Sequence, residues 1–409
     1  MNLEMLLKEY AVDPRCFKIA DRITLSQPRQ IQLKGLQGSA ASFIVSSIFT
    51  NPSASQLNHL VILRDAEEAA YFHNSLENIT SALNLFYFPS SFKNKKNYRL
   101  LNSSHVMLRT ECLTRFSNPT GESRVGAIIT YPEALFEKVV LPKTLSANII
   151  SIKQGDTIDP NSIYEKFVGY GFERTDFVYE PGQFAVRGGI LDIYSFGNEK
   201  PYRVELFGNE VDSIRIFDPE TQLSERKLLQ VTIIPNVETQ FDSGEKVSLP
   251  EFLPANTVVW TEDWEFIKEK IEQQEEEFGI WNSEFGVKHL QASEEDSISE
   301  KIEVNANDFV KADFLEAQIR QKHIIELGNK AFFANDQRST INFSIKEQPA
   351  FNRKFDLLIQ NLKDYEAKKY NIYLFAENPK QLERLHAIFT DLKAEINVIP
   401  VPTSIHEGF

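Results

Sequence analysis

From Gln183 to Asp218 apolar and polar residues alternate with period two, and the alternation breaks at Gly188-Gly189, Phe196-Gly197-Asn198 and Phe207-Gly208-Asn209. Side chains on a strand point alternately to opposite faces, so this stretch predicts an antiparallel meander of four strands. Its apolar face takes Tyr202, Val204 and Leu206; the opposite face takes Arg203, Glu205 and Phe207. Arg187 alternates against Phe184 and Val186 and falls on the polar face too. A sheet that offers arginine and an off-pattern aromatic to solvent has the composition of a partner-binding surface.

The pattern is different on either side. Between Leu33 and about Leu141, short apolar runs alternate with helical periodicity. Strands are predicted at Leu60–Leu63, Leu85–Phe88, His105–Leu108 and Gly126–Thr130, and helices at Ala41–Phe49, Ala66–Leu76 and Pro132–Lys138. Such alternation argues for a parallel sheet covered by helices. A helix over Pro160–Tyr170 opens the antiparallel region and ends at Gly169–Gly171. The α/β pattern resumes with a strand at Thr257–Thr261 and a helix at Glu265–Gln274. A last βαβ-like unit has helices at Phe351–Lys368 and Pro379–Leu392 and strands at Asn371–Phe375 and Ile396–Ile399. The expected architecture is a multidomain α/β chain. A parallel α/β domain (1–145 and 235–345) is interrupted by an α+β antiparallel insert (146–234) and followed by a further α/β domain (346–409).

Composition agrees. A chain of 409 residues, 42% hydrophobic and 25% charged, has the make-up of an ordinary globular protein too large for one core. Two cysteines, Cys16 and Cys112, make neither a disulfide framework nor a metal site, which sets a reducing cytoplasm as the expectation. No apolar run approaches transmembrane length, and MNLEMLLKEY lacks the basic start of a signal peptide. The net charge of −14 argues against a chain whose main task is to grip a phosphate backbone. Much of the acid lies between Glu265 and Glu303, with twelve Asp or Glu against four Lys, and reads as a solvated helix and loop.

Chemistry is sparse. Ile31–Phe49 (IQLKGLQGSAASFIVSSIF) has the strand, glycine turn and helix of a phosphate-binding loop. In register, Gly35, Gly38 and Ser42 are present, but Ala40 replaces the required glycine and Ala41 the required lysine. Without that ammonium the site lacks its main charge for a triphosphate, and Lys34 is out of register to supply it. No nucleotide and no other cofactor is expected. The seven histidines are scattered singly, no HExxH or GxSxG spacing occurs, and Glu294–Glu295 lies in the acidic run, so no catalytic residue and no metal site is predicted.

The stretches GLQGSAAS and GQFAVRGGILDIYSFGNEKPYRVELFGNEVDSIRIFDPETQ resemble the N-terminal part of the bacterial transcription-repair coupling factors, the Mfd family. They resemble the excision-repair protein UvrB more distantly. LPANTVVWTED and YLFAENPKQLERLHAIF agree with later segments of that N-terminal region, so the likeness covers essentially the whole chain. It implies a UvrB-like module with a degenerate phosphate loop, cut from a longer protein whose RNA-polymerase-binding module and DNA translocase motors lie outside this chain. The UvrB stretch that forms an aromatic DNA-probing hairpin corresponds here to Phe88–Arg109, with Phe92 and Tyr98 as isolated aromatics.

What the resemblance retains is the insert that binds UvrA. Matched residue by residue, Arg187, Arg203 and Phe207 fall on the positions that contact UvrA. The implied function is non-catalytic recruitment of UvrA to stalled RNA polymerase, masked in the intact protein by its other domains. A UvrB-like nucleic-acid module acting directly on DNA is the alternative. On the residues alone, Phe207 can instead pack at a hairpin end, and Arg203 can pair with Glu205 or Glu199. Asp192 either holds the glycine turn or fixes Arg187 by a charge-assisted bond.

Overall fold

In the computed structural model, residues 2–80, 84–93, 98, 101–117, 125–238, 241, 243–283, 304–333 and 338–409 are described. Seven parallel strands build the central sheet, in the order Ser339–Asn342, Gln30–Lys34, His323–Leu327, Thr257–Glu262, Asn58–Ile62, Gly126–Thr130, Asn84–Tyr87. Strands from before and after the insert are therefore interleaved in one sheet. Asn58–Ile62 and Gly126–Thr130 are buried along their whole length, as a parallel strand covered on both faces must be.

Local chemistry starts the flanking helices. Asp65 caps Ala66–Ile79 by accepting from the Glu68 amide at 2.9 Å, and Glu67 and Glu68 favour the first turn electrostatically. The helix Trp264–Trp281 buries Trp264, Ile267, Ile271 and Phe278 at helical spacing, so the first part of the acidic run is an amphipathic helix. The remainder of that run, 284–303 with Glu294, Glu295 and His289, lies outside the described residues.

One predicted strand is a helix. His105–Leu108 lies within Ser103–Ser117, whose start is capped by Asn102 Oδ1 accepting from the Ser104 and His105 amides at 3.1 and 3.3 Å. Its buried residues Val106, Arg109, Thr110, Leu113, Phe116 and Ser117 recur every three or four positions, so the helical period prevails over the short apolar run. Two late boundaries also move. The helix expected from Phe351 starts at Phe355, because Asn352 and Arg353 have φ of 48° and 64°, and the last strand is Val398–Val401.

The insert is a closed excursion. Its entering strand Ile150–Lys153 pairs antiparallel with its leaving strand Gln230–Ile233. Between them six strands lie in the order Ser224–Leu228, Glu210–Phe217, Tyr202–Phe207, Ile190–Ile193, Gln183–Arg187, Glu173–Arg174; only the last pair is parallel. The helix Pro160–Gly169 lays Ile163 and Phe167 on one face of this sheet, against Phe172, Phe184, Leu191, Ile193 and Val204. A buried phenylalanine such as Phe167 contributes about 1.5–3 kcal/mol to this packing. Among the described residues the apolar side chains clustered on the other face, Val178, Ala185, Tyr194 and Phe217, come from strands and loops, and the arginines are found there.

Arg109 ties the insert's exit to the first half of the main domain. It is fully buried, donates from Nε to Glu238 at 2.6 Å, donates to the Pro89 carbonyl at 2.9 Å, and pairs with Glu137 at 3.2 Å. Its guanidinium also lies 4.5 Å or less from a ring centre, over Phe88 at 4.3 Å.

The last unit is a parallel pair, Ile372–Phe375 with Val398–Val401, and its helices Phe355–Ala367 and Pro379–Asp391 bury Ile359, Leu362 and Phe389. It docks on the N-terminal helix Asn2–Ala11: Asn2 donates to the Pro400 carbonyl at 2.6 Å, and the Tyr373 hydroxyl donates to Glu9 at 3.2 Å. No helix among the described residues is long and apolar enough to cross a membrane.

Candidate partner-binding face and the vestigial phosphate loop

Cross-strand register places Arg187, Arg203 and Phe207 on one face of the insert sheet. Ala185, Asp192, Arg203 and Arg215 are opposite one another and form one row; Arg187, Ile190, Glu205 and Ser213 form the next. Phe207 follows Glu205 by two residues on the same strand, so it points to the same side. The irregularity at this hairpin takes up an extra residue, Asp212, on the partner strand, leaving the alternation of Tyr202–Phe207 intact.

Asp192 is the centre of this face. Its carboxylate is completely buried and bonds both arginines. Arg203 donates from Nε at 2.7 Å and from Nη2 at 2.9 Å, and Arg187 donates from Nη2. The Asp192 carboxylate holds the Arg203 guanidinium still further above its already high range. Of the two open readings of Asp192, the fixing of Arg187 is the one realised, and it extends to Arg203. Arg203 pairs with neither Glu205 nor Glu199 through these bonds; Glu205 instead faces Arg215 at 3.3 Å and accepts from the Ser213 hydroxyl at 2.5 Å.

The three residues differ in exposure. Phe207 is 84% exposed and projects beyond the sheet at its hairpin end. The Arg187 side chain is 33% exposed. The Arg203 side chain is only 14% exposed, because it also stacks on Phe217 at 4.5 Å and donates to the Gln222 carbonyl at 3.1 Å. The polar face is therefore a shallow ledge of locked guanidiniums and one free aromatic. The glycines make a tight turn: Gly188 has φ +62°, and a Cβ on Gly189 would lie 2.7 Å from the Leu206 carbonyl oxygen.

Residues that the alternation did not point to complete the ledge. Phe177 lies under the Arg187 guanidinium at 4.7 Å, and Arg187 donates to the Asp176 carbonyl at 2.6 Å. The Gln183 side chain fixes the same loop by accepting from the Tyr179 and Glu180 amides at 2.9 and 3.1 Å. Gln222 bridges it to the neighbouring loop, donating to the Val178 carbonyl at 3.1 Å. Phe177, Tyr179 and Leu223 are all about half exposed or more. The signal for Phe177 and Tyr179 in the sequence was an aromatic pair in a loop, FVY, which without the cross-strand contacts carries no address.

The glycine turn after Gln30–Lys34, expected to be a degenerate phosphate loop, is packed into the core. Gly35 and Gly38 take positive φ, +70° and +52°, as such a turn requires. Ala40 is fully buried at the start of the helix Ala40–Phe49, Ala41 packs against the core, and Ser42 is buried. Three amides of this turn have backbone partners. Ser39 N–H donates to the Glu407 carbonyl at 3.2 Å, Ala40 N–H to the Gln37 carbonyl at 3.2 Å, and Ser42 N–H to the Ser39 carbonyl at 3.0 Å. Among the described residues no group of His, Cys, Asp or Glu is arranged to hold a metal ion.

The aromatics of Phe88–Arg109 point inward. Tyr98 is buried and meets Phe92, Phe278, Trp281 and Phe309 with ring centres 5.1–5.5 Å apart. Lys95 and Lys96 of the same stretch lie outside the described residues.

Comparison with known proteins agrees with this architecture. Residues 150–238 match the UvrB interaction domain. The chain is similar to part of the transcription-repair-coupling factors. It is 25% identical to the transcription-repair-coupling factor of Borreliella burgdorferi in an alignment covering 93% of this chain and 35% of that protein. It is 30% identical to that of Bacillus subtilis over 222 residues, 54% of this chain and 18% of that protein. With the factor from Staphylococcus haemolyticus it shares 44% over 84 residues, 20% of this chain and 7% of the relative. The chain thus spans about a third or less of the length of these coupling factors.

Proposed function

We propose that this chain is a non-catalytic recruitment module that binds UvrA through the Arg187–Arg203–Phe207 ledge. The observation that carries this is the convergence of two guanidiniums on the buried Asp192, on the same sheet face as the exposed Phe207. Pre-ordered side chains lose little entropy on binding, and Arg and aromatic anchors dominate interface energies. The module would act in the cytoplasm as part of a coupling factor whose other domains engage DNA and RNA polymerase and mask the ledge. The inward-facing Tyr98 and the net charge of −14 weigh against direct action on DNA, and the occupied amides of the phosphate loop weigh against nucleotide chemistry.

The test is titration of the chain with purified UvrA. Arg187→Ala and Phe207→Ala should each weaken binding by about 1–4 kcal/mol, the range of interface anchors. Arg203→Ala should weaken it as well, with some loss of stability because Arg203 also holds Phe217 and Gln222. Unchanged affinity in all three variants, each shown to be folded, rejects the site.

A further inference from the structure

We propose that the vestigial phosphate loop is now a peptide-binding slot, and that its resident ligand is segment 404–408 of the same chain. The contact is built along the whole segment. Asn78 Nδ2 donates to the Ser404 carbonyl and reaches its hydroxyl, both at 3.1 Å. His406 N–H donates to Ser75 Oγ at 3.3 Å while its ring stacks on Tyr71 at 3.7 Å. Glu407 and Ser39 are joined twice: Ser39 N–H donates to the Glu407 carbonyl at 3.2 Å, and Glu407 N–H donates to Ser39 Oγ at 3.0 Å. Gly38 lets the peptide approach, since a Cβ there would lie 2.4 Å from the Gly408 carbonyl oxygen. Phe409 then closes edge-on against Phe43 at 5.6 Å.

The chemistry of the exchange is coherent. A phosphate loop offers backbone amides to oxygen. With a lysine and a free glycine at its end, those amides suit a triphosphate. With alanine at 40 and 41 the charge is gone, and a neutral peptide carbonyl satisfies the Ser39 amide without a counter-charge. Slot and ligand belong to different units: the slot lies on the helices Ala40–Phe49 and Ala66–Ile79, and the ligand directly follows the last strand, Val398–Val401. The slot therefore fixes the last α/β unit on the first, where the loop's ancestor in form would have registered a nucleotide.

The experiment uses the full chain and two substitutions. Glu407→Pro removes the N–H that Ser39 Oγ accepts, and Gly38→Val drives a side chain into Gly408. Amide hydrogen exchange is followed at Ser39–Ser42, at 398–408 and in the central strands Asn58–Ile62 and Gly126–Thr130. Limited proteolysis is followed across 344–354, between the two units. Exchange at Ser39 and 398–408 should rise at least tenfold and cleavage in 344–354 should accelerate, with the central strands unchanged. Wild-type protection at Ser39 in folded Glu407→Pro overturns the proposal. If Gly38→Val does not fold, Glu407→Pro alone decides. A second arm places Ala41→Lys in the otherwise intact chain and titrates Mg·ATP: no binding is expected while the segment holds the slot, and saturable binding with 398–408 protection unchanged overturns its role as resident ligand.

Discussion

At the scale of the residue, Asp192 shows what a sequence read alone leaves out. Period two assigned Arg187, Arg203 and Phe207 to one face from spacing alone, and register bears out that they share it. That Asp192 lies between the two arginines depends on the pairing of three strands, which no local pattern encodes. Asp192→Asn should keep the shape, cost about 1.5–3 kcal/mol of stability for charged hydrogen bonds lost, and weaken UvrA binding although Asp192 is too buried to touch a partner. Urea denaturation beside UvrA titration checks both, and full affinity in the folded variant would show that the guanidiniums need no anchor. His59 makes a second prediction. It is fully buried, accepts from the Trp260 indole N–H at 3.0 Å, and burial pushes its pKa down to about 3. The unfolded chain takes up that proton below about 6.5 and the folded chain resists it to about 3, so the contribution is full above pH 6.5 and is lost as pH falls. The loss amounts to about 2 kcal/mol at pH 5, from ~1.4 kcal/mol per pH unit. His59→Gln should flatten the acid limb of stability against pH by nearly one proton; an unchanged slope would place the acid sensitivity elsewhere.

At the scale of the element, most helices and short apolar strands were legible and the run at His105–Leu108 was not. The strands at Asn58–Ile62 and Gly126–Thr130 and the helix Ala66–Ile79 follow from fully buried runs and from an Asp cap with two following glutamates. The segment around His105 misleads because four residues of either element look alike, and the deciding residues are distant: Arg109 is buried in a helix only because Glu137 and Glu238 come from elsewhere to meet it. That triad makes a sharp prediction. Arg109→Ala would leave two buried carboxylates facing each other without a cation, and should cost about 3–5 kcal/mol, the range for breaking a buried ion pair. Arg109→Met, which keeps the stem but not the charge, should be nearly as harmful, because the loss lies in the stranded carboxylates. A melting temperature within a degree of the wild type for either variant would mean that Glu137 and Glu238 find protons or water at little cost.

At the scale of the whole molecule, the chain builds a seven-stranded parallel sheet whose glycine turn is met by a distant segment of the same chain. The interleaved sheet brings Gln30–Lys34 next to His323–Leu327, nearly three hundred residues apart, so the helix after the vestigial loop is held in place whether or not a ligand is bound. The alternation of strands and helices announced the parallel sheet, but the segment that meets the glycine turn lies more than 360 residues downstream and has no pattern pointing back to it. The consequence can be measured on the intact chain. A ligand that binds only the folded form at a hundred times its dissociation constant adds about 2.7 kcal/mol of stability, which moves the melting temperature of a domain of this size by several degrees. Mg·ATP in the millimolar range should leave it unmoved, since the Ser39 amide is already spent on Glu407 and no lysine stands at 41. UvrA, bound to a ledge nowhere on that sheet, should raise it, and should cease to do so in Phe207→Ala. An ATP-dependent rise would return the loop to nucleotide binding and leave the ledge's role to be judged by UvrA alone.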